Sequence, residues 1–375
     1  MRISIDGRAA SIYRGTGIGT YTYQLINNLN NIDKNNSYLI FSEENAFTEQ
    51  ISFNRNFKFS QISFNEKASF WETVKVPNIL TDETIDLYHV PQNGVGLPFN
   101  TNCKNIITLH DIIPLKMPET VSNRYLKIFN EDLPKILDNC QGIITVSNFS
   151  KDDIASSFNI SKDKIYVTHL AAEDIYCPLN KFICRNIIEK RYDIYDKFIL
   201  YVGGLSPRKN ILGLIEAYSL LPNLIKDQYK LVITGKKGIS YDKYQKRCEE
   251  LNVDSSVIFT DFLPIKDLSL FYNVAEVLIY PSFYEGFGLP PLEAMACGTP
   301  VIASNSTSLP EVCSDSALLI DPYNIYELKN SIENLLTDSR LQLKLIQKGL
   351  ARSSKFSWNN TAIQTINAYQ STMEK

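Results

Sequence analysis

Residues 280 to 304 read YPSFYEGFGLPPLEAMACGTPVIAS. Two carboxylates, Glu285 and Glu293, stand eight positions apart in a stretch held nearly bare by Gly286, Gly288, Pro290 and Pro291. The preceding EVLIYPS is an apolar strand pattern, so Glu285 falls in the loop at a strand end. Glycines there let the amides of Gly286, Phe287 and Gly288 approach a ligand. Carboxylates so placed can accept hydrogen bonds from vicinal sugar hydroxyls without forming a hydrolytic acid–base pair. The two prolines suit the first turn of a helix and Gly298 its end. Glu293 is expected in that first turn, where the helix dipole alone favours an acid by about 0.3–1 kcal/mol. Glu285 has no such structural excuse.

A second stretch, GGLSPRKN (203–210), follows the apolar run 198–202 and places Arg208 and Lys209 beyond Gly203 and Gly204 at an expected helix start. Two adjacent cations at a helix N-terminus are unfavourable without an anion, and a diphosphate fits; the plain alternative is a pair of solvated surface charges. GTGIGT (15–20) contributes Gly15, Gly17 and Gly19, which could meet a phosphate or form only a flexible turn. Its spacing is G-x-G-x-G, and it lies nine residues beyond the first strand, which disfavours a conventional nicotinamide site. LHD (109–111) puts His110 at a strand end with Asp111 beside it to orient it or cap a turn. A lone strand-end histidine is often purely structural. His89, His110 and His169 are too scattered for a familiar metal motif, and the chain holds no D-x-D.

The elements that must position these residues alternate. Strands are expected at 2–6, 37–42, 57–64, 86–91, 105–111, 142–147 and 164–170, with helices at 18–30, 122–138 and 148–157 between them. The pattern lapses over 173–197, whose start reads as a linker. It resumes with strands at 198–204, 230–235, 257–262, 276–282, 300–304 and 317–321. Helices at 210–221, 241–251, 266–274, 290–297, 324–336 and 338–352 go with them, followed by a last amphipathic helix from about 357. This rhythm implies an α/β fold of two Rossmann-like, doubly wound domains facing across a cleft. The expected boundaries are 1–175, 176–355 and a terminal helix, 356–375, crossing back to the first domain. Ligands in such sheets bind beyond the carboxyl ends of the strands, where every candidate above lies.

A formal charge of −3 over 375 residues gives no case for nucleic-acid binding. Seven cysteines without a C-x-x-C pair argue against a disulfide framework or zinc knuckle and favour a reducing compartment. The N-terminal MRISIDGRAASI lacks an apolar signal core, and no apolar run approaches the roughly 18 residues of a membrane span. A cytoplasmic location follows as the expectation, with membrane contact at most peripheral.

These motifs together resemble the retaining glycosyltransferases of family 4, with their GT-B fold, over nearly the whole chain. The resemblance is most specific over PSFYEGFGLPPLEAMACGTPVIAS and YVGGLSPRKN. TLHDIIPLKMPE and FWETVKVP look like the mannosyltransferase branch of bacterial polysaccharide assembly. It implies that Glu293 binds the nucleotide ribose, and that Glu285 with the amides of Gly286, Phe287 and Gly288 contacts the donor sugar. Arg208 and Lys209 would hold the diphosphate, and Leu289 and Pro290 would pack near the nucleotide. Thr234 with Gly235, and Asp261 with Phe262, would bracket the base. His110 would lie beside the reacting sugar, Gly17 and its neighbours would approach donor phosphate or sugar, and Ser147 and Asn148 would line the acceptor site. The sequence departs from the family at Gly204, where many relatives carry an arginine, and Arg208 would have to take over that role.

The resemblance implies a reaction that moves a sugar, expected to be mannose from GDP-mannose, to a saccharide or polyprenyl-linked saccharide at the inner membrane, in O-antigen, lipopolysaccharide or capsule assembly. Arg208 and Lys209 would steady the departing nucleoside diphosphate without a metal. The two domains are expected to close on the donor. A sugar-nucleotide epimerase would act without an acceptor, a non-catalytic binding protein would show no turnover, and a dehydrogenase is weakened by the glycine spacing.

Overall fold

The computed structural model describes residues 1–42, 52–61, 70–75, 84–238 and 240–375. The last three residues of the strand expected at 57–64, and the end of FWETVKVP, lie outside them. The chain divides into two compact units, Met1–Leu170 with Ser357–Lys375, and Ala171–Phe356.

Among the described residues, the first unit has seven strands: β1 (Arg2–Asp6), β2 (Ser37–Ser42), β3 (Phe57–Gln61), β4 (Leu87–Val90), β5 (Lys104–Thr108), β6 (Gly142–Thr145) and β7 (Ile165–Val167). They lie in the order β3-β2-β1-β4-β5-β6-β7, and all pairs are parallel. The second has β8 (Lys197–Val202), β9 (Tyr229–Thr234), β10 (Val257–Asp261), β11 (Val277–Tyr280), β12 (Val301–Ser304) and β13 (Leu318–Ile320). Their order is β10-β9-β8-β11-β12-β13, again all parallel. In both sheets the chain works outward on one side and then returns to the middle. This leaves a switch point between β1 and β4 in one unit and between β8 and β11 in the other. The central strands read as continuous apolar runs because both faces are covered: β4, β6, β11 and β12 are buried at every residue.

The segment expected to be a linker is packed instead. Asn273 accepts from Leu179 N–H (2.7 Å) and donates to Cys177 C=O (3.1 Å), and Ser269 Oγ donates to Ile175 C=O (3.0 Å). Those side-chain bonds tie residues 175–179 to the second unit, and the helix Lys181–Tyr192 follows. Asn180 caps that helix at Phe182 and Ile183 N–H. Only Cys184 and Ile188 on it are buried, while Phe182 and Ile183 face out, so its apolar period is too weak to read.

The terminal helix Trp358–Met373 belongs to the first unit and packs on the helix Gly17–Ile32 and on β5 and β6. Thr361 Oγ1 donates to His169 C=O at 2.5 Å.

Candidate functional site

The switch point of the second unit is charged. Beyond β8 the backbone turns at Gly203 (φ 150°) and Gly204 and enters a 3-10 turn, Pro207–Lys209. Asn210 then takes a left-handed conformation (φ 57°), its Nδ2 donating to Pro322 C=O (2.7 Å), and the helix begins only at Ile211. Arg208 and Lys209 thus precede the helix rather than opening it, which corrects the expected start at 210. Beyond β11, the loop 281–288 brings Glu285 to the same place. Its Oε1 accepts from Lys209 Nζ (2.5 Å) and Arg208 Nη1 (3.0 Å). Lys209 Nζ also donates to Tyr280 Oη (2.5 Å), and Arg208 Nη1 donates to Tyr284 C=O (2.9 Å). Lys209 and Glu285 are buried. Burial alone would raise the Glu285 pKa, but Arg208 and Lys209 outweigh it and hold the carboxyl at about 2. The cluster keeps two cations and one anion at neutral pH.

The loop is pinned from behind by residues that follow β12. Ser304 Oγ donates to Ser282 C=O (2.6 Å) and Thr307 Oγ1 accepts from Glu285 N–H (3.0 Å). The Ser308 hydroxyl lies 2.9 and 2.8 Å from the carbonyl oxygens of Glu285 and Phe287. Gly286, Phe287 and Gly288 are buried, and Leu289 and Pro290 half-buried. Gly288 has φ 114°, and a Cβ there would fall 2.5 Å from Leu309 Cδ2. The helix runs Leu289–Ala296, with Pro290 and Pro291 in its first turn and Gly298 (φ 77°) just past its end. Glu293 therefore lies in the second turn, not the first. The helix dipole fades within one turn, so the structural reason offered for an acid here is lost. Glu293 is buried, its Oε2 accepting from Tyr272 Oη (2.7 Å), and burial pushes its pKa up to about 7; the Tyr272 bond opposes that, and Glu173 adds to it.

The ends of β9 and β10 meet beside Gly203. Gly203 N–H donates to Thr234 C=O (3.0 Å), and Gly235 N–H and Thr234 Oγ1 donate to Asp261 C=O (3.1 and 3.2 Å). Asp261 (φ 65°) accepts through Oδ1 from Phe262 N–H (2.8 Å), leaving the Phe262 ring exposed.

The first unit carries its own ionic group at its switch point. Asp6 ends β1, and Arg8 Nη2 lies 2.6 Å from Asp6 Oδ2, which also accepts from Gln92 Nε2 (2.6 Å) beyond β4. His110 sits two residues beyond β5. Its Nε2 lies 3.0 Å from Pro91 C=O, which can only accept, so Nε2 carries the proton. Its backbone N–H donates to Asn93 Oδ1 (3.0 Å). Burial lowers its pKa to about 4 against the Pro91 bond, so the ring is neutral. Asp111 Oδ1 accepts from Ile113 N–H (3.2 Å), closing a local turn just ahead of the short helix Ile113–Lys116.

The three glycines of GTGIGT separate. Gly15 (φ 89°) makes the turn, and Gly17 opens the helix with free space where a Cβ would stand. A Cβ on Gly19 would fall 1.9 Å from Tyr13 C=O, and its amide donates to Thr16 Oγ1 (3.2 Å). Gly19 is a packing residue. Ser147 is buried and caps its helix at Ser150 N–H (3.0 Å), while Asn148 is exposed.

The structure thus brings Arg208, Lys209 and Glu285 into direct contact, sets Thr234 and Gly235 against Gly203, and joins Asp261 and Phe262 to them at the end of β10. Sequence reasoning missed Tyr280, Tyr272, Thr307, Ser308 and the Asp6–Arg8–Gln92 group. The polar run SNSTS after β12 and the DGR after β1 carried the signal, since both follow strand ends. Among the described residues no group of three or more His, Cys, Asp or Glu is arranged to hold a metal, and no helix is long and apolar enough to cross a membrane.

Two parallel, doubly wound sheets, with a cation-rich loop pair at the switch point of the second, define a GT-B glycosyltransferase. Residues 15–172 match the family described as Glycosyltransferase Family 4, and residues 185–352 match Glycosyl transferases group 1. The chain is 37% identical to O-antigen chain mannosyltransferase B of Escherichia coli, over 76% of this chain and 74% of that one. It is 32% identical to the serotype-specific mannosyltransferase WbdA of Escherichia coli over 76% of this chain, but spans only 35% of that longer protein. The fold matches that of Anabaena HepE crystallised with UDP-glucose (TM-score 0.75, 17% identity, 99% of this chain and 100% of that one). The chain belongs to glycosyltransferase family 4.

Proposed function

We propose that this enzyme transfers mannose from GDP-mannose, with retention, to a saccharide or polyprenyl-linked saccharide in the building of O-antigen on the cytoplasmic face of the inner membrane. The carrying observation is the Arg208–Lys209–Glu285 cluster at the β8/β11 switch point. A net positive, largely desolvated group at that position suits a nucleoside diphosphate, and its two cations can stabilise charge that grows on the phosphates as the sugar departs. Arg208 takes the place of the arginine that Gly204 lacks. Glu293 takes the ribose hydroxyls, Phe262 and Thr234–Gly235 border the base, and Glu285 with the 286–288 amides meets the donor sugar. In the first unit, a neutral His110 protonated at Nε2 presents Nδ1 as an acceptor to a sugar hydroxyl and adds no positive charge beside an oxocarbenium-like transition state. The acceptor hydroxyl oxygen then bonds to the anomeric carbon on the face from which the nucleoside diphosphate departs with the electrons of the broken C–O bond, and the hydroxyl proton passes to the departing diphosphate oxygen. The mannosyltransferase names of the relatives support the choice of sugar, and the UDP-glucose in HepE supports a nucleotide-sugar donor.

Lys209→Met keeps the side-chain volume and removes the charge. Turnover with a nucleotide-sugar donor is expected to fall by about a hundredfold or more, with the thermal midpoint of the variant recorded alongside. Near-normal turnover would sink the diphosphate assignment. Assay of the wild type against GDP-, UDP- and ADP-sugars then decides the donor, and a preference for a base other than guanine rejects GDP-mannose.

A further inference from the structure

A buried hydrogen-bonded chain in the first unit remains outside the chemistry above. His89, fully buried on β4, meets the Tyr369 hydroxyl of the terminal helix through Nδ1 (2.8 Å) and the Thr108 hydroxyl of β5 through Nε2 (2.8 Å). Thr108 Oγ1 in turn meets the Tyr21 hydroxyl at 2.9 Å. The Tyr21 ring stands at 90° to the His110 imidazole, with centroids 4.9 Å apart. Trp358, from the first turn of the same terminal helix, packs on Tyr21 from another direction (6.5 Å). Tyr21, His89, Thr108 and Tyr369 have no measurable exposure.

The imidazole of His110 is fixed by two groups on different segments. Pro91 C=O holds Nε2, and the Tyr21 ring closes off its flank. Tyr21 can do this only if its own ring is held; its hydroxyl meets Thr108, which leads through His89 to Tyr369, and Thr168 and, from the terminal helix, Thr365 also face it. A neutral imidazole donates through one nitrogen and accepts through the other. Burial, with His110 adding to it, lowers the pKa of His89 to about 3, so the chain is polarised in one direction rather than charged. Every polar group along it sits where an unmatched partner is costly, which makes its geometry stiff.

We propose that Tyr21 is a positioning residue for His110, and that His89 and Tyr369 extend this control to the terminal helix. The orientation of the ring that meets the donor sugar is then set by a helix made after the whole second unit. This rests on the role proposed for His110, and the experiment separates the two ideas.

Tyr21→Phe and Tyr369→Phe each delete one hydroxyl and keep the ring. The chain has only three histidines, so the imidazole resonances of nitrogen-15-labelled full-length protein can be assigned, His110 by its loss in His110→Gln. Each variant is expected to shift the His110 resonance, to lower kcat about tenfold, and to leave donor KM within about twofold, since a positioning loss acts on the reacting geometry. A His110 resonance unmoved in a folded Tyr21→Phe protein overturns the proposal. A moved resonance with unchanged kcat keeps the positioning and overturns the role given to His110. Should Tyr369→Phe fail to fold, Tyr21→Phe, which keeps the packed ring, decides alone.

Discussion

Glu285 and Glu293 share a motif and a burial class, yet their surroundings drive them apart. Glu285 is ionised because two cations face it at 2.5 and 3.0 Å. Glu293 faces a tyrosine hydroxyl, with a second acid, Glu173, raising its pKa further. The two acids are thus tuned for different partners, one for balancing cations and one for neutral hydroxyls. The Glu293 pKa also fixes a sign for stability. A carboxyl that titrates near 7 when folded and near 4.5 when unfolded holds its proton in the folded state across that window. Its contribution is complete below about pH 4.5 and is lost as the pH rises through 7. Glu293→Gln, which cannot ionise, should therefore be more stable than wild type at pH 8, by about 1–3 kcal/mol, and no better at pH 4.5. Thermal midpoints at the two pH values test this, and an equal gap at both would rule it out. Neither tuning was legible in the sequence, because one depends on Arg208 and Lys209 and the other on Tyr272 and Glu173, all of which arrive from other elements.

At the scale of elements, each glycine loop divides its labour. Beyond β8, Gly204 has open space where a Cβ would stand, whereas on the β9 side a Cβ at Gly235 would fall 1.9 Å from Gly203 C=O. In the first unit, Gly17 is open and Gly19 is closed by Tyr13 C=O, also at 1.9 Å. The closed glycines let two backbones touch; the open ones leave room for something else. Gly204→Ala should bind nucleotide almost as wild type does, while Gly235→Ala, which forces the β8 and β9 loops apart, should weaken binding at least about tenfold by titration calorimetry. Equal affinities would show that the close approach does not shape the site. The strands and most helices could be read from apolar period and punctuation; β2 runs Ser37–Ser42, as its pattern implies. What escaped had a physical reason. The helix Lys181–Tyr192 buries too few side chains to show a period, and the lining from Thr307 and Ser308 acts through hydroxyl bonds to backbone that spacing does not reveal. The fold and the strand-end location of the site were therefore open to reading, while the supports behind the loops were not.

At the scale of the whole molecule, the first unit is discontinuous: residues 1–170 are joined by 357–375, with the second unit inserted between them. The terminal helix supplies Tyr369 to His89, Thr361 to His169 C=O, and Trp358 to Tyr21. A chain truncated after Phe356 loses these partners and uncovers β5 and β6. Buried polar groups left unmatched cost about 1–3 kcal/mol each, and with the apolar cover lost from β5 and β6 they take a large share of the roughly 5–15 kcal/mol that holds a folded domain together. The truncated protein should keep a cooperative unfolding transition for 171–356 while 1–170 becomes readily cleaved in limited proteolysis. Full protease resistance of 1–170 would contradict this.

That insertion also sets an order of events at the ribosome. Residues 171–356 are contiguous and can fold as soon as they emerge, whereas the 170 residues made before them must wait for the terminal helix. At about 5–20 residues per second, the 186 residues of the second unit take about 9–37 s to synthesise, and for that interval the nascent first unit holds an unsealed face. The helix Trp358–Met373 is the one that seals it, so its arrival is the step at which the first unit is completed.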